Sequence, residues 1–304
     1  MKLFGILSNN WQRIRRGEFF FHLEMRICNA INRIFDIHPP SSPFLSGDTY
    51  KSFADIEITG INDVQKIKNE DIIFLSAENL DFFQSDVLEN IRVKFSLITH
   101  HGDQLITSEY SRIADYPLLI HWFAQNNQFI HPKITAIPIG LEDAWRHNNG
   151  VVKDFVKLRQ KTANKVPRVL YGFNVNTNKF VRSKAMEVLS RYELADSIHV
   201  DSRKYRKVLN EYMFIASPAG NGIDCHRTWE ALYLGTIPIV VGGQFYSQFD
   251  HFPGLILESW DELSRFNEKE LITIYEEKAA LLGEAFFMWE NYWRDIIKKH
   301  KKLA

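Results

Sequence analysis

The sequence predicts an α/β protein of two Rossmann-like domains whose parallel sheets face a central cleft. Three observations lead there. From residue 54 onward short apolar runs alternate with longer amphipathic segments, which is the pattern of parallel strands joined by helices. A polar stretch, residues 151–165, interrupts that alternation near mid-chain. The length of 304 residues suits about two domains of ordinary size.

Residues 1–43 stand apart as a basic amphipathic segment and linker. Lys2, Arg13, Arg15, Arg16, Arg26 and Arg33 are set among Trp11, Phe19, Phe20, Phe21 and several aliphatic residues. Two readings stay open: helices lying on an anionic membrane surface, or helices packed on the body of the protein. His38-Pro39-Pro40-Ser41-Ser42-Pro43 then breaks any helix.

The N-terminal domain is expected over residues 44–160. Its strands are expected at 54–58, 71–76, 94–99, 117–122 and 134–139, with a helix over 80–90. A second series, residues 161–285, carries strands at 168–171, 198–200, 212–216 and 237–241. Its helices are expected at 179–191, 203–210 and 224–234. Ser259 with Glu262, and Asn267 with Glu270, have the spacing of N-terminal capping pairs. Residues 286–304 should close the chain as a helix that packs back on the N-terminal domain.

Composition removes several functions. Lys plus Arg number 37, as do Asp plus Glu, so the chain is neutral overall and not a general nucleic-acid coat. Residues 1–34 and 294–304 are each net basic by four, leaving an acidic body between two basic ends. The two cysteines, Cys28 and Cys225, make no disulfide scaffold. No run reaches the roughly 18 apolar residues of a membrane span. A cytoplasmic protein is expected, with a peripheral position on the inner face of the membrane if the basic ends meet anionic lipid.

The most informative segment runs from Ser217 to Val240: a strand end, the loop Gly220-Asn221-Gly222, Asp224, then a helix bearing His226, Arg227 and Glu230. Glycines permit close backbone approach, and the helix start favours an anion such as a pyrophosphate. His226 and Glu230 share a helix face, and Arg227 neighbours Glu230. This offers a cation to phosphate and, one turn on, a carboxylate to a pair of hydroxyls such as those of ribose. A polar loop, Gly172 with Asn174, and the following Arg182 suit the same cleft.

In the first half an apolar strand ends in His100-His101-Gly102-Asp103. Asp103 is the first choice for a general base, with His101 and His100 as competitors or orienting partners. Glu142 follows another strand end and is an acceptor contact candidate; Trp145 and His147 are further cleft candidates.

The stretch 214–242 resembles the nucleotide-sugar motif of exostosin-like glycosyltransferases and their bacterial relatives, where a Pro-x-Gly-x-Gly loop leads into a helix carrying Arg, Glu and Ala-Leu before Gly-x-Ile-Pro. The resemblance implies the GT-B fold and sugar transfer from a nucleotide-diphosphate sugar, with a UDP-sugar expected, onto a glycan or lipid-linked glycan. It also implies an inverting reaction in bacterial surface polysaccharide synthesis. Glu230 would hold the ribose, while Arg227 and the loop amides would face the phosphates. No Asp-x-Asp, zinc-spaced cluster, Walker loop or dinucleotide fingerprint occurs, so neither a metal nor a further cofactor is expected. Two alternatives remain: a nucleotide-sugar epimerase, and a non-catalytic nucleotide-sugar-binding subunit of a glycan-assembly complex.

Overall fold

A computed structural model describes residues 41–143, 150–161 and 163–302. Most of the basic N-terminal segment, with Trp145 and His147, therefore lies outside the described residues. The first sheet holds β1 (Ile56–Ile58), β2 (Asp71–Ser76), β3 (Phe95–His100), β4 (Leu119–Ala124) and β5 (Ile134–Ala136), all parallel and in sequence order. The second holds β6 (Val166–Tyr171), β7 (Ala195–Ser197), β8 (Tyr212–Ala216), β9 (Ile237–Val241) and β10 (Leu255–Leu257), also parallel, in the order β10-β9-β8-β6-β7. Two parallel sheets whose strand-end loops meet across a cleft form the GT-B architecture.

The described α-helices longer than three residues are α1 (Gly47–Ser52), α2 (Ser111–Ala114), α3 (Val152–Arg159), α4 (Lys179–Leu189), α5 (Ser202–Leu209), α6 (His226–Tyr233), α7 (Glu268–Leu281) and α8 (Glu290–Lys302). The strands carry apolar residues on both faces because both faces are covered. In the first sheet Ile73, Leu75, Leu97 and Trp122 pack in one core, while Ile72, Phe74, Ile98 and Phe123 join another. That second core also contains Trp229 and Tyr233 of α6 and Trp293 and Ile297 of α8, so it spans both halves of the molecule. Helix α8 returns to the first sheet: the His300 ring lies 4.3 Å from that of His121, and Lys301 pairs with Asp55 at 2.7 Å.

Several elements differ from expectation. Residues 80–90 are not one α-helix but an α turn, a π turn and a 3-10 turn in succession. Ser85 and Asn90 bond nearby backbone carbonyls there, competing with the regular ladder. The short strand expected at 198–200 sits three residues earlier, at 195–197. The polar stretch after residue 151 contains α3, whose Phe155 is fully buried, so this junction is itself packed into the core. Strand β10 was not expected from the sequence.

Candidate active site

In the second sheet the chain runs from β6 outward to β7, then returns to the other side of β6 as β8. This is a topological switch point, where open α/β sheets leave a crevice at their carboxyl ends. Gly172 follows β6 and the glycine loop follows β8, so both lie in that crevice. A cleft of about 770 Å³ opens there, walled by both halves of the molecule. Among its lining residues are Asp103, His101, His100, Glu142, Gly172, Arg182, Gly220, Asn221, Gly222, Asp224, His226, Arg227 and Glu230. Of the residues singled out by sequence and described here, only Asn174 is not among those lining residues; its side chain accepts from the Asn176 amide in a local turn.

Convergence in one cleft does not give each residue the role expected of it. Arg182 does not wait freely for a phosphate. Its Nε donates to the Ala219 carbonyl at 2.9 Å and its Nη1 to the Asn174 carbonyl at 2.9 Å, so it pins the two loops of the crevice together. The glycines serve side chains of the protein. A Cβ on Gly220 would stand 2.9 Å from Arg182 Nη2, and one on Gly222 would stand 2.7 Å from Asn126 Nδ2. The Gly220 amide already donates to the Gly222 carbonyl at 3.0 Å, so that group is not presented to a ligand. Asp224 is buried and accepts from the Ile139 amide at 2.8 Å, from the Cys225 amide and from Trp229 Nε1. Burial raises its carboxyl to about 7 against those bonds. It clamps one half of the molecule to the other.

Arg227 and Glu230 remain available to a ligand. Arg227 spends one bond on the Gly172 carbonyl, at 3.2 Å, and its Nε is buried without a partner. Its guanidinium and that of Arg182 both stand about 6 Å from the Phe173 ring centre, at 5.9 and 5.8 Å. The nearness of Arg227 joins burial in pulling the Arg182 guanidinium below its usual value. Two guanidiniums lining one cleft favour an anion there. Glu230 is 8% exposed, and among the described residues no hydrogen bond reaches its carboxylate. Burial raises it, while the charges of His226, Arg227 and Arg206 oppose the shift.

His226 opens α6, and both its ring nitrogens are engaged by the other half of the molecule. Nδ1 donates to the Gly140 carbonyl at 2.9 Å and Nε2 lies 3.0 Å from Glu142 Oε1. Burial alone would lower the imidazole, but Glu142 and the carbonyl overcome it and raise the ring to about 9. Near neutral pH it is an imidazolium, a third positive group on the donor side. Glu142, expected as an acceptor contact, is engaged with His226.

The first sheet contributes the other wall. His100 is 2% exposed; its Nδ1 accepts from the His101 amide at 2.8 Å, and burial with neighbouring His101 holds it down at about 3. Such a ring takes no proton in the cleft. His101 has a left-handed backbone (φ 58°) and its Nε2 stands 3.1 Å from Asp143 Oδ2. Gly47 makes room for it, since a Cβ there would meet the ring at 2.1 Å. The two side chains are in close contact without the alignment of a hydrogen bond. Asp143 also accepts from the Asp48 amide; burial pushes its carboxyl up, but His101 prevails and holds it at about 2. Sequence reading did not single out Asp143, although it directly follows Glu142. Asp48, His101 and Asp143 each bring a potential ligand atom within 4.8 Å of the others, a set that exposed acidic groups often form without any ion. Asp103 is exposed and accepts from Asn221 Nδ2 of the glycine loop at 3.0 Å.

No family model matches the chain, and no curated protein matches it. Solved structures similar in fold include trehalose-6-phosphate from E. coli bound with UDP-2-fluoro glucose, 10% identical, with 80% of this chain and 75% of that one covered at a TM-score of 0.49. The α,α-trehalose 6-phosphate synthase from Burkholderia multivorans is 8% identical over 79% and 72% of the chains, TM-score 0.49. An α,α-trehalose-phosphate synthase (UDP-forming) from Burkholderia vietnamiensis is 7% identical over 78% and 76%, TM-score 0.48. A likeness this distant carries no argument about substrate. None of the three is described as exostosin-like, so that expectation rests on residues 214–242 alone.

Proposed function

We propose that this chain is a glycosyltransferase that moves a sugar from a nucleotide-diphosphate sugar to a hydroxyl of a saccharide acceptor. The observation that carries the reading is Glu230: a buried carboxylate with no hydrogen bond among the described residues, one helical turn from Arg227 and acted on by the charges of His226, Arg227 and Arg206. A carboxylate so placed is costly unless something donates to it, and the two hydroxyls of a ribose would do so while the diphosphate meets Arg227. His226 and the start of α6 add positive potential at the same place. Cations and a helix start placed in this way can stabilise a departing diphosphate.

On the opposite wall, His101 is the base this reading favours over Asp103. Its Nδ1 makes no hydrogen bond among the described residues, while Asp143 steadies the ring from the other side. As the acceptor hydroxyl attacks the anomeric carbon, His101 takes its proton. The carbon–oxygen bond to the diphosphate breaks with the electron pair leaving on the phosphate oxygen. A base across the cleft from the phosphates supports direct displacement with inversion. Synthesis of bacterial surface polysaccharide, with a UDP-sugar donor and a glycan or lipid-linked glycan acceptor, is the setting to which the exostosin-like motif points. Anionic membrane contact through the basic ends is proposed with it; no described helix is long and apolar enough to cross a membrane.

The test is calorimetric binding of UDP, GDP and CMP sugars, followed by product analysis with saccharide acceptors. Glu230→Ala should weaken binding of the preferred donor by at least tenfold, the loss expected of one charged hydrogen bond. Undiminished donor affinity in that variant, or no binding by any donor, sinks the reading.

A further inference from the structure

Ten buried side-chain polar atoms among the described residues have no hydrogen-bond partner, and five of them belong to residues lining the one cleft. Two of those five, Tyr205 and Arg227, stand on the donor wall. The other three, His100, His101 and Gln125, stand at the ends of the neighbouring strands β3 and β4. Gln125 is the sharpest case. It is 1% exposed, its Oε1 is buried without a partner, and neither end of its amide makes a hydrogen bond among the described residues. An amide left in this state costs stability that an apolar side chain of equal size would not.

His100 beside it has a fixed polarity. Its Nδ1 accepts from the His101 amide, so the proton of the neutral ring sits on Nε2, which is buried and finds no aligned acceptor. The ring also stacks on Tyr50 at 5.3 Å between centroids, meets the His101 ring edge-on, and interacts with the Pro138 backbone. The wall thus offers a neutral N–H donor and an amide that can accept or donate. An anion would suffer here, since Asp143 and Glu142 line the same wall and no described Lys or Arg does. A hydroxyl, which donates and accepts at one oxygen, fits both groups.

We infer that Gln125 and His100 form a subsite for one neutral hydroxyl of a saccharide, either the acceptor or the sugar being transferred. This deepens the glycosyltransferase reading and rests on it for the kind of molecule that supplies the hydroxyl.

The experiment uses the full chain and Gln125→Met, which keeps the side-chain volume and removes the amide. Unliganded, the variant should melt about 2 °C higher than the wild type, because an unpaired buried group has been removed. Its affinity for UDP should be unchanged. Binding of UDP-glucose or UDP-N-acetylglucosamine, or of glucose or N-acetylglucosamine to the UDP complex, should fall at least fivefold. Loss in the first case places the hydroxyl on the transferred sugar, and loss in the second on the acceptor. Glucose 6-phosphate should gain nothing from its phosphate. A variant that melts lower than wild type, as it would if an ordered water or a protein group satisfied Gln125, overturns the subsite. So does unchanged affinity for every saccharide probe. Failure of UDP and UDP-sugars to bind the wild type would count against the enzyme reading, while the melting comparison would still decide the subsite.

Discussion

Asn221 of the glycine loop donates to the Asp103 carboxylate across the mouth of the cleft, 3.0 Å from nitrogen to oxygen. Both residues are exposed, so the bond is a rim contact between the halves. A carboxylate occupied in this way is a poor first choice for abstracting a proton deeper in the cleft. Rim bonds of this kind contribute little to stability.

Asp103→Ala should therefore lower turnover by no more than about threefold, and Asn221→Ala should match it, since each removes the same bond. Steady-state kinetics on both variants gives the answer. A loss above a hundredfold confined to Asp103 would return the base to that residue.

His101→Gln should cut turnover by roughly 10²–10⁴-fold while leaving donor affinity intact, the range typical of a lost general base. Asp143→Asn should lose less, because it steadies the ring without touching the acceptor. Single-turnover rates beside donor titrations separate the two effects. Equal damage to donor affinity and rate would mean that His101 shapes the cleft rather than moving a proton.

The His226–Glu142 contact predicts a pH window. The folded imidazole is raised from 6.5 to about 9, so its contribution to stability is fully present below pH 6.5 and fades as pH climbs to about 9. Glu142→Gln should flatten that decline. Thermal melts across this range would show it, and an identical slope in wild type and variant would contradict the assignment.

Gly222→Ala should destabilise the protein by about 1–3 kcal/mol, because the new methyl would sit 2.7 Å from the Asn126 amide that joins the halves. Gly60→Ala, with open space around it, is the neutral control. Denaturant unfolding of both variants checks the contrast.

Strands β2, β8 and β9 were legible because each is a continuous apolar run bounded by polar residues, a signal that survives without knowledge of neighbours. The membership of the cleft was legible for a related reason: polar residues directly after such runs must fall at the carboxyl edge of a parallel sheet. Their duties were not. Asp224 receives its amide partner Ile139 from 85 residues away, and it takes Asn126 as an acceptor for its own amide from 98 residues away. Spacing within one motif cannot reveal such partners, so the part Asp224 plays in joining the two halves stayed hidden. Asp143 escaped notice because a single carboxylate in a loop gives no pattern until His101 is folded against it.

Helix α8 has a consequence for how the molecule is made. Its Trp293 and Ile297 complete the apolar layer over Ile72, Phe74 and Phe123, strands translated more than 150 residues earlier. On the ribosome the first half can form its ladder of strands, yet one side of that ladder, partly covered by Phe44, Leu45 and Tyr50, lacks the rest of its cover until nearly the whole polypeptide has emerged. Vectorial synthesis therefore exposes a sticky intermediate, and chaperone demand should peak late in translation rather than early. Nascent chains stalled before residue 290 should bind hydrophobic dyes strongly, and those released past residue 302 should not.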